Sequence, residues 1–272
     1  MGGCSLDVFE IEPPNDESLQ LRMHPKVIVT PHLGASTTDA QERVAKEIAR
    51  NMSDIFDGGA FVGVVNAPDL SVVSKNPGML PYVLLAEKLG SMQAQLLKNS
   101  KISSITVTLR GRDVGDTKFS EVIKSAVIKG ALGELSSQPV TYVNAISLAD
   151  ELGLKVLVNM TDKTEIGSGY QNSLAVELEI EGFLNLTRKI EGTVFGRNEL
   201  RVTKFDNFSI DLPPGENILL FNNPDEPGIL KKVSEKLAMA NINIAHFSLG
   251  RTGPGKQAMG ALVLDTPGIN WV

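Results

Sequence analysis

The pattern of apolar and polar residues changes along this chain. It begins with two short apolar-rich runs. Residues 5–9 and 26–30 form these runs, and runs of this length predict short buried strands. Apolar side chains then recur every three or four residues, which predicts an amphipathic helix that ends near Asp57. The run Ser36-Thr37-Thr38-Asp39 supplies helix-capping residue types and predicts where this helix begins. The periodic positions are Val44, Ile48, Met52, Ile55 and Phe56.

The middle of the chain mixes helical and strand-like patterns. Residues 66–81 are rich in proline, asparagine, serine and glycine, which predicts a connecting arm, and a helix is predicted over 83–97. Two more helices are predicted at 119–132 and 145–152. Helices accompanied by a run of strands predict a separate α+β domain, and Pro213-Pro214-Gly215 is a natural linker after it. The predicted strands are 102–109, 155–160, 174–180, 186–194, 198–205 and 207–212.

The last stretch predicts the element order βαββ. A turn at 222–230 leads from the first of its strands into a helix that reaches Ala240. Pro227 suits the first turn of a helix, and Gly228 lets backbone amides approach a bound carboxylate at the positive helix end. The predicted strands are 217–221, 243–249 and 258–264.

Composition narrows the classes of function. The chain of 272 residues has a formal net charge of −6, which argues against nucleic acid or an anionic membrane as its main partner. Its one cysteine, Cys4, cannot form an internal disulfide and suits a reducing compartment. No apolar run approaches the roughly 20 residues of a membrane span. His24 and His246 have no cysteine or second histidine at ligand spacing, so we expect no metal site.

A carboxylate and an imidazole follow the first two predicted strands. Glu12 lies in Asp7-Val8-Phe9-Glu10-Ile11-Glu12-Pro13, and His32 lies in Thr30-Pro31-His32-Leu33-Gly34-Ala35-Ser36-Thr37. A carboxylate beside an imidazole raises the imidazole pKa and fixes its tautomer, so the histidine can pass a proton near neutral pH. A hydride transfer to or from a secondary alcohol carbon needs such a relay. Without its surrounding motif, a single histidine after a strand would more often be an ordinary loop residue.

These two motifs resemble those of the D-2-hydroxyacid dehydrogenases, and within them the long-form phosphoglycerate dehydrogenases. The resemblance implies that His32 moves the substrate hydroxyl proton and that Glu12 orients and stabilises the imidazole. It also implies an NAD site. The residues expected against the nicotinamide end are Asp7, His32, Leu33, Gly34 and Ala35.

The same resemblance implies a multidomain chain of the α+β and α/β classes. Residues 1–57 would be the remnant edge of the NAD-binding and substrate-binding catalytic region. Residues 58–214 would be an α+β intervening domain, and residues 215–272 a ferredoxin-like βαββ module. A complete module of the last kind has a further helix and strand, so we expect an incomplete one.

The final segment resembles the ACT domain, a small-molecule regulatory module. The resemblance rests on the Asp-x-Pro-Gly turn at 225–228 and on Asn-x-Asn-Ile after the helix. It implies an effector site for L-serine or a similar amino acid at Asn223, Asp225 and Asn243, because two amides and a carboxylate can satisfy an ammonium and a carboxylate. The alternative is that Asp225 caps its helix and Asn243 only makes a turn.

The expected function is therefore part of an NAD-dependent oxidation of 3-phosphoglycerate to 3-phosphohydroxypyruvate, the entry to L-serine biosynthesis. We expect a cytoplasmic homo-oligomer, although an organellar targeting segment upstream would leave no trace here. The resemblance implies that the chain lacks most of the dinucleotide-binding domain. We therefore expect the chain to be inactive alone. The alternative is a non-catalytic module that binds an amino acid or joins subunits through exposed strands.

Overall fold

The computed structural model describes residues 2–57, 64, 73, 76–97, 102–112, 114, 117–162, 169–180 and 187–266. The chain divides into two compact units, residues 1–63 and 64–272. The expected combination of helices and several sheets in a multidomain chain is confirmed. The domain boundaries at residues 57 and 214 stay predictions, and most of the predicted arm at 66–81 lies outside the described residues.

The first unit contains a parallel strand pair and a long helix. The two strands pair from Cys4 opposite Val27 to Leu6 opposite Val29. Both predicted strands are therefore confirmed, but each has only three residues. Residues that the sequence predicted at their carboxyl ends, such as Asp7 and Thr30, make side-chain hydrogen bonds of the candidate site instead. The elements are β1 (Cys4–Leu6), a 3-10 helix (Asp16–Ser18), α1 (Leu19–Arg22), β2 (Val27–Val29) and α2 (Thr38–Phe56).

Helix α2 begins where the capping residues predicted it. Thr37 has an extended backbone, and its hydroxyl oxygen accepts a hydrogen bond of 3.2 Å from the Ala40 amide. Asp39 lies in the first turn, where a negative charge stabilises the positive end of the helix. The helix ends at Phe56, close to the predicted end at Asp57.

The second unit is built on a six-stranded sheet with the order β4-β3-β5-β6-β7-β8. Strands β3 and β4 are parallel, and the other neighbouring pairs are antiparallel. Every helix and strand predicted between residues 83 and 212 is present, with shifted ends. The elements are α3 (Leu80–Leu96), β3 (Ile102–Arg110), α4 (Thr117–Gly133), α5 (Ala145–Glu151), β4 (Lys155–Thr161), β5 (Ser173–Ile180), β6 (Thr187–Phe195), β7 (Glu199–Phe205) and β8 (Phe208–Leu212).

Two glycines allow helices α3 and α4 to cross with their backbones in contact. A Cβ atom on Gly90 would lie 2.3 Å from the Val127 carbonyl oxygen, and one on Gly130 would lie 2.0 Å from the Glu87 carbonyl oxygen. No side chain fits at either position without moving a helix. Beside the crossing, the Glu87 carboxylate accepts hydrogen bonds from Lys129 on α4 and from Tyr142 before α5.

The end of the second unit confirms the predicted order βαββ. Its sheet has the order β10-β11-β9, and both neighbouring pairs are antiparallel. Four buried side chains form the core between this sheet and helix α6: Leu237, Ile242, Leu262 and Leu264. The elements are β9 (Ile218–Pro224), α6 (Ile229–Met239), β10 (Ile244–Arg251) and β11 (Gln257–Leu264).

Strand β9 extends past its predicted end at residue 221. Asn222 and Asn223, which the sequence placed in the turn, pair with Met259 and Ala258 of β11. Pairing in the sheet therefore overrides the turn preference of two consecutive asparagines. Helix α6 ends with Asn241 in the left-handed region at a φ of 55°, a common helix terminator.

Strand β10 covers the free edge of β8. The Asp211 amide donates a hydrogen bond of 2.9 Å to Ser248 Oγ, and His246 Nε2 lies 2.8 Å from the Asp211 carbonyl oxygen. Because a carbonyl only accepts, Nε2 of this histidine carries the hydrogen. A Cβ atom on Gly250 would lie 2.8 Å from the Ser209 carbonyl oxygen, so glycine permits the close approach. The side chains of Ser248 and His246 thus satisfy the backbone N–H and C=O of Asp211, which an exposed strand edge would otherwise offer to another strand.

We expect Gly130→Ala to lower the free energy of unfolding of the second unit by about 1–3 kcal/mol, the usual cost of overpacking. Denaturant unfolding followed by circular dichroism measures the change. Gly133→Ala in the same helix is the matched control, because a Cβ atom there meets nothing within 4 Å. The control should be neutral or slightly stabilising, since alanine favours helix over glycine. Equal destabilisation by both substitutions would contradict the role of the crossing.

Candidate functional site

The ends of β1 and β2 line a cleft of about 440 Å³ that contains the predicted acid–base pair. His32 Nδ1 lies 2.7 Å from Glu12 Oε2. The other carboxylate oxygen, Oε1, accepts a hydrogen bond of 2.9 Å from the Phe9 amide. The backbone therefore fixes one oxygen of Glu12 while the other holds the imidazole, as the sequence motifs suggested.

Asp7 ties the loop after β2 to the end of β1. Its Oδ1 accepts hydrogen bonds from Thr30 Oγ1 at 2.5 Å and from the Leu33 amide at 2.7 Å, and its Oδ2 accepts one from the Gly34 amide at 2.7 Å. Between these anchors, His32 has a φ of 55°, in the left-handed region that few residues other than glycine adopt and in which asparagine, aspartate and histidine are enriched. The strained backbone of His32 is thus held by hydrogen bonds to its neighbours on both sides.

The pKa values of both His32 and Glu12 are shifted from their ordinary values. The hydrogen bond that His32 donates to Glu12, and then the Glu12 charge, raise the pKa of His32 above its ordinary value. The same hydrogen bond, followed by the one that the Phe9 amide donates, lowers the pKa of Glu12. The Thr30 hydroxyl is the largest cause of a lowered pKa at Asp7. An imidazole whose proton affinity is raised by a carboxylate, and which faces a cleft, is suited to take a proton from a bound molecule.

The loop residues predicted to face the nicotinamide lie together beside the pair. The amides of Leu33 and Gly34 bind Asp7, and the Ala35 carbonyl accepts a hydrogen bond of 2.6 Å from Gln41 Nε2. A Cβ atom on Gly34 would lie 3.1 Å from Asp7 Oδ2, so a larger residue would crowd this contact. All three loop residues are exposed. The loop is therefore open to solvent beside the pair, and the binding role of these residues stays a prediction.

The predicted effector residues lie at two ends of the terminal sheet. Asn223 and Asp225 are at the carboxyl end of β9, where Asn223 pairs with Ala258 of β11. Asn243 lies beside the other end of β11, where its Nδ2 donates a hydrogen bond of 2.7 Å to Asp265. Their partners Ala258 and Asp265 are seven positions apart along the chain, about 24 Å in extended backbone at roughly 3.4 Å per residue. Within one chain, the structure does not bring Asn243 to the other two.

Asp225 is engaged inside the chain. Its carboxylate accepts hydrogen bonds from the Arg251 guanidinium and, at 3.0 Å, from the Gly255 amide. The Arg251 hydrogen bonds are the largest cause of its lowered pKa. The alternative in which Asp225 caps helix α6 is wrong, because Gly228 occupies the capping position and no side-chain cap is made there. Asn223 Oδ1 is buried without a hydrogen-bond partner, which leaves one acceptor at this turn unsatisfied.

Three polar residues of these sites were missed by the sequence reasoning. Thr30 could have been found, because it begins the histidine motif and its hydroxyl binds Asp7. Arg22 lines the cleft and donates a hydrogen bond of 3.2 Å to the Asn15 carbonyl, but no motif marks it. Arg251 lies between the predicted strands 243–249 and 258–264, and nothing in its spacing points to Asp225.

Within the described part of the chain, no group of three or more histidine, cysteine, aspartate or glutamate side chains could hold a metal ion. In the same ranges, no helix combines the length and apolarity needed to cross a membrane.

Two stretches of the chain match known domain families. Residues 78–206 match the D-3-phosphoglycerate dehydrogenase intervening domain, and this range contains helices α3 to α5 and strands β3 to β7 of the six-stranded sheet. Residues 217–270 match the ACT domain, which covers the βαββ module.

Similar proteins extend the match to the first unit. A D-3-phosphoglycerate dehydrogenase of Synechocystis is 36% identical over 269 residues, which are 98% of this chain and 46% of that protein. The chain resembles the D-3-phosphoglycerate dehydrogenases over nearly its whole length. D-3-phosphoglycerate dehydrogenase 3, chloroplastic, of Arabidopsis thaliana is 33% identical over 271 residues (96% of this chain, 45% of the relative). The human enzyme is 32% identical over 266 residues (93% and 47%). The family resemblance is thus confirmed, and the chain spans slightly under half the length of these relatives.

We expect Glu12→Gln to lower the pKa of His32, because the substitution removes the charge and the strongest acceptor at Nδ1. NMR titration of the His32 ring protons measures the midpoint. In the native pair, the stabilisation of charged His32 is complete below about pH 6.5, the ordinary histidine value, and is lost as pH rises through the raised pKa.

Glu10→Gln is the matched control for this titration. It removes a carboxylate two residues from Glu12 that is not among the causes of the His32 shift. The control should leave the His32 midpoint where it is in the native chain. An equal change in both variants would show that general surface charge, and not the Glu12 contact, sets the pKa of His32.

Proposed function

We propose that this chain forms part of an NAD-dependent D-3-phosphoglycerate dehydrogenase that oxidises 3-phosphoglycerate to 3-phosphohydroxypyruvate for L-serine synthesis. The observation that carries the proposal is the His32–Glu12 contact of 2.7 Å at the edge of a cleft. It stands in a chain that continues into a phosphoglycerate dehydrogenase intervening domain. The proposal includes a cytoplasmic location, with a plastid as the alternative because Arabidopsis relatives are named chloroplastic.

In this proposal His32 is the base. Its Nδ1 is engaged by Glu12, so Nε2 is the nitrogen that takes the proton from the substrate hydroxyl. The carbon-bound hydrogen leaves as hydride while the C–O bond becomes a carbonyl. NAD supplies the hydride acceptor when it is bound. Glu12 stabilises the imidazolium that results, and its own orientation is fixed by the Phe9 amide.

Asp7 has a positioning role in the same proposal. It holds the amides of Leu33 and Gly34 and thereby presents one exposed face of the loop toward the nicotinamide end. The chain includes slightly under half of its relatives' length, so we propose that it has no activity by itself.

A second candidate is a regulatory or oligomerisation module that binds an amino acid. The observation that favours it is the match of residues 217–270 to the ACT domain, together with the unsatisfied Asn223 Oδ1. Because Asn223 and Asn243 lie at opposite ends of β11, a ligand as small as L-serine that contacts both would have to lie between two copies of the chain. This candidate therefore includes a homo-oligomer.

The catalytic proposal is tested with a fusion of this chain to the part of the Synechocystis relative that has no counterpart in it. We expect His32→Asn to lower kcat of the fusion by about 10²–10⁴-fold, the usual contribution of a general base. Glu12→Gln should lower kcat and move the acidic limb of the pH profile to lower pH, because the pKa of His32 falls. Glu10→Gln should change neither. Turnover by the 272-residue chain alone would refute the proposal, and so would a fusion whose kcat is unchanged by His32→Asn.

The regulatory candidate is tested by calorimetric titration of the chain with L-serine, with NAD as a parallel ligand. We expect heat from serine that Asn223→Ala or Asn243→Ala abolishes, since both amides would contact the ligand. Asn222→Ala is the matched control, because neighbouring strand residues point to opposite faces of the sheet. Serine heat that all three variants retain would place the ligand elsewhere, and no heat would exclude the L-serine site in this chain.

A further inference from the structure

The Asp225 carboxylate is hydrogen-bonded through one of its two oxygen atoms. Three donors meet at Oδ2: Arg251 Nε at 2.9 Å, Arg251 Nη2, and the Gly255 amide at 3.0 Å. Within the described ranges, Oδ1 accepts no hydrogen bond. The hydrogen bonds from Arg251 are the largest cause of the lowered pKa of Asp225, so this carboxyl group stays ionised at neutral pH. Oδ1 is therefore a charged acceptor that is open to a donor from outside the chain.

Arg251 has donors in excess of those that Asp225 uses. A guanidinium group carries five N–H donors, and only the edge formed by Nε and Nη2 is directed at Asp225. In the described part of the chain, Nη1 donates to no acceptor. The Arg251 side chain is 49% exposed. The ion pair thus presents a cationic edge and a carboxylate oxygen next to each other at the protein surface.

The strand register places a third polar side chain on the same face of the sheet. Arg251 of β10 pairs with Ala258 of β11, which pairs in turn with Asn223 of β9. Residues directly opposite each other in antiparallel strands share a face, and the row spans two strand spacings, about 10 Å at roughly 4.8 Å each. Asn223 Oδ1 is buried without a hydrogen-bond partner. This end of the sheet therefore combines one cation with two oxygen atoms that can accept further hydrogen bonds.

We propose that Arg251 binds the carboxylate of an α-amino acid whose ammonium group lies against Asp225 Oδ1. The inference rests on the regulatory candidate of the proposed function and adds a residue to its site. An α-amino acid carries its ammonium and its carboxylate on one carbon atom, and the ion pair supplies a complement to each charge. One end of the sheet in one chain then holds both charged groups, and Asn243 of a second copy is left to contact the rest of the ligand.

The paired charges also determine which class of ligand the site selects. A simple amine would gain the Asp225 oxygen but would meet the positive charge of Arg251. A simple carboxylate would gain Arg251 but would meet the negative charge of Asp225. Only a zwitterion avoids both repulsions. The site therefore prefers an α-amino acid to the amine or the hydroxy acid of the same carbon skeleton.

The test is calorimetric titration of the 272-residue chain with three ligands of matched size. These are L-serine, serinol, which has a hydroxymethyl group in place of the carboxylate, and glycerate, which has a hydroxyl in place of the ammonium. We expect the Kd of L-serine to be lower than either other Kd by at least about tenfold, the effect of one hydrogen bond to a charged group.

Arg251→Gln should affect the two amine ligands in opposite directions. The Kd of L-serine should rise about 10–100-fold, because its carboxylate loses a charged donor. The Kd of serinol should stay the same or fall, because the charge that repels its ammonium is gone. A misfolded variant would weaken both ligands, so this crossed pattern separates ligand binding from a structural role.

Two further variants complete the experiment. Arg251→Lys keeps the charge but has no planar fork of donors, so the Kd of L-serine should rise less than in Arg251→Gln. Lys236→Gln is the matched control, because it removes one positive charge from an exposed position in the last turn of α6. It should leave the Kd of L-serine unchanged.

The outcomes separate this inference from the regulatory candidate. Binding of L-serine that Arg251→Gln leaves unchanged, or an equal loss for L-serine and serinol, would overturn the role of Arg251 while the regulatory candidate stands. Serinol that binds the native chain as tightly as L-serine would do the same. No heat from any of the three ligands with the native chain would overturn both.

Discussion

The Asp7 carboxylate is the constraint on which the geometry of the candidate site depends. It joins the end of one strand to the loop after the next through Thr30, Leu33 and Gly34. These bonds flank His32, whose backbone lies in the left-handed region that few residues other than glycine adopt. Glu12 then needs only one backbone hydrogen bond, from Phe9, to meet the imidazole. The pair is therefore positioned by side-chain contacts to the backbone and not by a buried core.

The second unit relies on close backbone approach instead. Gly90 and Gly130 let two helices touch at their crossing, and Gly250 lets β10 lie against β8. Side chains of strand β10 also make hydrogen bonds to two other elements. Ser248 and His246 bind the backbone of Asp211 on β8, and Arg251 binds Asp225. One strand thus contacts both the six-stranded sheet and the turn before α6. A ligand that displaces Asp225 from Arg251 would act on a strand that already touches the neighbouring sheet.

The residues of the two candidate sites lie at or near the surface of the described part of the chain. Among the residues of 2–57 whose burial the structure describes, which include the acid–base pair, Ala40 alone is buried. The two asparagines at the ends of β11 are too far apart within one chain to share one small ligand.

The sequence by itself determined the element types and most of their ends, because apolar periodicity and capping residues such as Thr37 act locally. It also determined the pairing of Glu12 with His32, through motifs whose residues flank two predicted strands. It could not determine that β9 continues through Asn222 and Asn223, since that depends on partners in β11 about 35 residues later. Nor could it reveal that Arg251 binds Asp225, or that Asn243 lies far from Asn223. Those facts depend on strand order and register, which long-range pairing decides and which no local pattern in the chain encodes.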